Sequence, residues 1–111
     1  MGRDLGRRLH REFVLADLYL VWVDSEGVAE ERPLLPGSVV VGRVSACDVV
    51  LTDSGVSREH ARIEVDESGV TIHDLKSRNG TWVNGEQTDG VKLEPGDEIG
   101  IGRLALAVME F

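Results

Sequence analysis

From Asp17 to Phe111, no twelve-residue window carries the apolar period and end caps of an amphipathic helix. Short apolar runs recur instead, set apart by Gly, Pro, Asn, Asp and Ser. The cleanest spans residues 58–65, with Ala61, Ile63 and Val65 on one face and Arg58, His60, Arg62 and Glu64 on the other. Leu18, Leu20 and Trp22 alternate with Tyr19, Val21 and Val23 before a hairpin-like Asp24-Ser25-Glu26-Gly27 turn. Further strands are expected over residues 28–35, 38–42, 48–51, 70–75, 81–83, 91–93, 97–101 and 104–111. Asn84-Gly85 is the strongest hairpin signal in the chain, and Pro95-Gly96 marks another turn. Ten or eleven short strands in about 95 residues specify an all-β sandwich or barrel, with function carried by its loops.

Composition narrows what those loops can bind. The 111 residues suit one domain, and 41% hydrophobic content is enough for a core. Only 5% of residues are aromatic, so that core must be built from Val, Leu, Ile and Ala. Residues 1–16 carry four Arg against two acids, whereas residues 17–111 carry eight basic against eighteen acidic side chains. Such an acidic body repels a nucleic-acid backbone, so no nucleic-acid partner is expected. A few local donors can still hold one phosphorylated side chain.

The basic segment is expected to be a tail, residues 1–16, with Leu5 and Leu9 at helical spacing but Gly6 between them. Its sharper reading is a docking arm for another part of a larger protein. Cys47 is the sole cysteine, which rules out an intrachain disulfide and favours a reducing, cytoplasmic setting. No apolar run is long enough to span a membrane, and none near the N-terminus suits a signal peptide, so no membrane insertion is expected.

Four features stand in order along the strand pattern: Gly42-Arg43, Ser57-Arg58-Glu59-His60, Asn79-Gly80 and Asn84-Gly85. Each is ordinary alone. Arg43 could be solvated or paired with Asp48, Ser57 a turn serine, and Asn-Gly merely a turn. Ser57 and His60 invite comparison with a nucleophile and its base. Three residues apart on an extended strand, however, they would be separated by about 10 Å, beyond proton-transfer reach. His10, His60, His73 and Cys47 have no metal-ligand spacing, so no metal and no cofactor are expected.

Taken together, Gly42-Arg43, the run Ser57-Arg58-Glu59-His60-Ala61-Arg62-Ile63, and Asp74-Leu75-Lys76-Ser77-Arg78-Asn79-Gly80-Thr81-Trp82-Val83-Asn84-Gly85 resemble the forkhead-associated (FHA) domain family. The similarity covers about residues 17–111. It implies an eleven-stranded β-sandwich, SMAD/FHA-like, whose apical loops bind phosphothreonine peptides. It implies that Arg43 is a principal phosphate contact and Ser57 a second. At the start of a strand, the Ser57 hydroxyl can donate to a phosphate oxygen with its own amide expected to point the same way. Arg58 adds charge beside them. Ser77, Arg78 and Asn79 form a second donor loop; Asn79 grips the peptide backbone, and Arg78 stands where many relatives have Thr or Ser. His60 is implied to be structural, with Gly42, Gly80, Asn84 and Gly85 supporting the loops.

Discrimination of phosphothreonine from phosphoserine in the family rests on the threonine methyl, worth on the order of 1 kcal/mol. Val56 is a candidate wall for it, and residues 46–54 face the third residue after the phosphothreonine. The implied partner is a Thr-phosphorylated protein, with a Ser/Thr kinase upstream. Thr52, Thr71, Thr81 and Thr88 are the only threonines, so the tail offers no phosphothreonine of its own. The competing reading keeps the fold but docks or self-assembles without phosphate. An enzyme lacks its constellation in the sequence.

Overall fold

The computed structural model describes residues 18–110; the expected tail, residues 1–16, lies outside them, as do Asp17 and Phe111. Among the described residues there are eleven strands and no helix. They are β1 (Leu18–Val23), β2 (Ala29–Pro33), β3 (Gly37–Gly42), β4 (Val49–Val50), β5 (Ala61–Asp66), β6 (Gly69–Asp74), β7 (Thr81–Val83), β8 (Glu86–Thr88), β9 (Gly90–Leu93), β10 (Glu98–Ile101) and β11 (Leu104–Glu110). One sheet runs β2-β1-β11-β10-β7-β8 and the other β4-β3-β5-β6-β9. Every pairing is antiparallel except β3 with β4.

Alternation decides which side of each strand turns inward. Ala61, Ile63 and Val65 of β5 are buried, as are Ile99 and Ile101 of β10 and Leu106 and Val108 of β11. Side chains from both sheets join in one apolar cluster with Leu20, Val41 and Ile72, each of which has no exposed surface. Burying a Leu, Ile or Val side chain contributes about 1.5–3 kcal/mol, so this β-sandwich is held chiefly by its shared interior.

Two boundaries depart from the sequence pattern. Residues 58–60 do not begin β5, because the chain bends there: the Ser57 amide donates to His60 Nδ1 at 3.0 Å, and the His60 amide to the Val41 carbonyl at 2.8 Å. Glu86–Thr88, polar and on a sheet edge, forms β8 through pairing with β7. The turn between them is the expected hairpin, with φ of 52° at Asn84 and 87° at Gly85. Positive φ at both central residues matches the twist of the flanking strands. Asn84 also fastens the turn sideways, accepting from the Glu98 amide at 3.0 Å and donating to Asp97 Oδ1 at 3.0 Å.

Candidate functional site

Three connections meet at one end of the sandwich: residues 43–48 after β3, 51–60 after β4 and 75–80 after β6. They enclose a recess of about 190 Å³ lined by Arg43, Ser54, Gly55, Val56, Ser57, Arg58, Arg78 and Asn79. Of the expected binding residues, Arg43, Ser57, Arg58, Arg78 and Asn79 are thus brought together. A larger groove of about 590 Å³ follows the β2 and β4 edges, where Asp24, Glu26, Glu30, Glu31 and Asp48 would repel an anion.

The recess is built outward from β3. Leaving that strand, the Arg43 amide is shared between the Ser57 and Arg58 carbonyls, each at 3.0 Å. So close an approach leaves no room for a side chain at Gly42, where a Cβ would overlap the Arg58 carbonyl oxygen and crowd Cys47 Sγ. The Cys47 thiol, its pKa pushed up by burial, donates to that same carbonyl at 3.2 Å. Arg43 Nε donates to the Val56 carbonyl at 3.0 Å. Asp48 instead accepts from the Val40 amide at 2.9 Å, so the alternative of an Arg43–Asp48 ion pair is not what the structure shows.

Ser57 and His60 are in contact rather than about 10 Å apart, since the bend replaces the extended strand assumed from the sequence. This proximity still does not make a base. His60 is fully buried, Nδ1 accepts from Ser57, and Nε2 lies 2.8 Å from the Gly80 carbonyl. With Nδ1 accepting, the proton sits on Nε2 and is donated to Gly80, which leaves no ring nitrogen for proton transfer. The Ser57 amide is therefore committed to His60 and does not point at a ligand. Its hydroxyl oxygen accepts from the Arg78 amide at 2.9 Å, which leaves the hydroxyl hydrogen for donation.

The second loop is organised by Asp74. Oδ1 accepts from Ser77 Oγ at 2.5 Å and from Thr81 Oγ1 at 2.7 Å, and Oδ2 accepts from the Ser77 amide at 3.0 Å. Burial pushes this carboxyl up, but the Ser77 and Thr81 hydrogen bonds outweigh it and hold the pKa below the ordinary carboxylate value. Ser77 Oγ also accepts from the Gly80 amide at 2.9 Å. Ser77, expected among the binding residues, is thereby tied into the scaffold and does not line the recess. Asn79 Nδ2 donates to the Gly55 carbonyl at 3.0 Å, which joins this loop to the one carrying Ser57. Trp82 Nε1 donates to the Asn79 carbonyl at 3.3 Å. Val56 is only 2% exposed, so its side chain serves the core and has little surface for a ligand methyl.

Asp53 and Arg103 belong to this scaffold and have no local signal in the sequence. Asp53 is buried and accepts from the Gly55 amide, the Arg103 amide, and Arg103 Nε and Nη2 at 2.9–3.2 Å. The Arg103 side-chain hydrogen bond is the main cause of its lowered pKa. Fifty residues apart, the pair fastens the loop before Ser57 to the β10–β11 turn. Among the described residues, no three His, Cys, Asp or Glu side chains cluster as metal ligands, and no helix is long and apolar enough to cross a membrane.

Comparison with known proteins gives the family. A family model described as "FHA domain" matches residues 39–102. The ABC transporter ATP-binding/permease protein Rv1747 of Mycobacterium tuberculosis is 40% identical over 73 residues, covering 66% of this chain and 8% of that protein. The oxoglutarate dehydrogenase inhibitor of Corynebacterium efficiens is 38% identical over 72 residues, covering 65% of this chain and 51% of that protein. The chain therefore spans about half the length, or less, of these curated relatives. A solved structure from a structural and functional analysis of phosphothreonine-dependent FHA domain interactions superposes with a TM-score of 0.77 at 33% identity, covering 85% of this chain and 96% of its own. With the family match over more than half its length, the chain belongs to the FHA domain family.

Proposed function

We propose that residues 17–111 form a phosphothreonine-dependent peptide-binding module of Ser/Thr kinase signalling, with the phosphate held in the apical recess. The observation that carries this reading is the convergence of three arginines and the Ser57 hydroxyl on one small recess of an otherwise acidic domain. Among the described residues, the terminal nitrogens of Arg43 and the guanidinium groups of Arg58 and Arg78 have no protein partner. A phosphothreonine carries nearly two negative charges at neutral pH, and charge-assisted bonds from planar guanidinium groups suit its oxygens. In this reading Arg43 and Ser57 bind phosphate, Arg58 and Arg78 neutralise it, and Asn79 contacts the peptide backbone. Ser77 joins His60, Gly42, Gly80, Asn84 and Gly85 as support.

The module acts by binding and not by catalysis, in a cytoplasmic setting and as part of a larger protein preceded by its basic tail. The similarity to a structure of phosphothreonine-dependent FHA domain interactions supports the choice of ligand. Calorimetric titration of a phosphothreonine peptide library provides the test. A library member binds, its unphosphorylated form does not, and Arg43→Ala weakens it by about 2–4 kcal/mol, roughly 30- to 1,000-fold. Silence across the library would count against the reading. Partner capture unchanged by Arg43→Ala would favour phosphate-independent docking on the same fold.

A further inference from the structure

The two outer faces of the sandwich differ in kind. On the five-stranded sheet the outward positions include Arg62 and Glu64 of β5, Thr71 and His73 of β6, and Lys92 of β9. Arg62 Nε pairs with Glu64 at 3.1 Å, as befits the solvated side of an antiparallel sheet. The six-stranded sheet reverses this. Its outward positions are Tyr19, Val21 and Val23 on β1 and Ala105, Ala107 and Met109 on β11. Trp82 extends the apolar surface through its pairing with Gly100. Val23 is 54% exposed, and Met109 and Trp82 are each 40% exposed. A shallow depression of about 600 Å³ lies at the β1–β2 end, lined by Val21, Val23, Ala29 and Glu31 and also by Trp22 and Glu30 from the alternate positions.

Exposed apolar side chains gathered on one face suit a docking surface. Charge selects the occupant. Glu31 and Glu98 share the face through their pairing with Val21 and Ala107, and no Lys or Arg stands among its outward positions. A second copy would set these acids against their own kind. The complementary chemistry lies in the same chain. Residues 1–17 contain Arg3, Arg7, Arg8 and Arg11 against Asp4, Glu12 and Asp17, a net charge of +1, together with Leu5, Leu9, Phe13, Val14 and Leu15. They join directly to Leu18, the first residue of the β1 strand that runs through this face. Seventeen residues reach about 25 Å at helical rise and about 56 Å extended, against about 24 Å across six strands, so the reach suffices in either form.

We infer that the outer face of the six-stranded sheet is the docking surface for the chain's own residues 1–17. On this face Val21, Val23, Ala107 and Met109 offer apolar surface, and Glu31 and Glu98 offer the charge that suits arginine. The docking needs no phosphate and stands apart from the recess.

The test is photo-crosslinking in the full chain with p-benzoylphenylalanine in place of Phe13, irradiated at high dilution and mapped by mass spectrometry. Crosslinks within one chain to β1 or β11 outward residues are expected. Val23→Lys with Met109→Lys, both at exposed positions, cuts their yield at least fivefold while thermal unfolding confirms the fold. Arg7→Glu with Arg8→Glu and Arg11→Glu does the same. Crosslinks elsewhere in the domain, an unchanged yield in either variant, or no crosslinks would overturn the assignment. So would crosslinks mainly between chains, which would make a second copy the occupant.

Discussion

Replacing His60 by alanine tests whether the recess is held from behind. The ring joins two loops, accepting from the Ser57 amide at 3.0 Å and donating to the Gly80 carbonyl at 2.8 Å, with no exposed surface of its own. Alanine leaves the Gly80 carbonyl buried without a donor, costing about 1–3 kcal/mol, and removes the Ser57 bond, worth about 1 kcal/mol. The vacated volume adds about 1–2 kcal/mol. His60→Ala is therefore expected to lose about 3–6 kcal/mol of the roughly 5–15 kcal/mol that stabilises such a domain. At about 4–8 °C per kcal/mol, the midpoint of thermal unfolding falls by at least about 12 °C. Urea unfolding with a matched m-value measures the loss, and calorimetry on the folded variant in the cold shows weakened phosphothreonine-peptide affinity. A loss below about 1 kcal/mol with unchanged affinity would refute the role of His60 as the link between the loops.

Two glycines separate space from backbone conformation. Gly42→Ala drives a methyl into the fixed Arg58 carbonyl and is expected to lose about 2–3 kcal/mol together with peptide affinity. Gly85→Ala meets no atom within 4 Å but keeps φ at 87°, so it loses about 1–2 kcal/mol with affinity unchanged; urea unfolding and calorimetry on both variants distinguish the cases. The folded pKa of Asp74 lies below its ordinary value. Its contribution to stability is therefore present above the ordinary carboxylate range, and it is lost as pH falls through the folded value. Asp74→Asn removes that contribution, so stability measured from pH 2 to pH 6 falls less steeply toward acid than in the parent. Superimposable slopes would contradict it.

Strand alternation was legible because one face of each central strand is buried, and β5 shows it in consecutive residues. The edge strand β8 was not, since Glu-Gln-Thr has no apolar face and pairs only because the Asn84-Gly85 turn directs it back onto β7. At the recess, the motif spacing named the residues that line it but not the atoms left free. The Ser57 amide and the Ser77 hydroxyl look available in sequence and are taken by His60 and Asp74. Asp53 and Arg103, 50 residues apart, lie beyond any local pattern.

That separation bears on when the recess can exist during synthesis. Arg43, Ser57 and Asn79 all leave the ribosome before Gly102 and Arg103, whose turn completes the bonding of Asp53. The strand β1 pairs early with β2 but finds its second neighbour only in β11, with Leu18 opposite Glu110. Pairings so distant along the chain form slowly, because a long loop must close before any contact rewards it. A growing chain thus carries the whole ligand-facing motif before it has the clamp that gives the motif its shape. Competence arrives at the end of folding, with the closing hairpin.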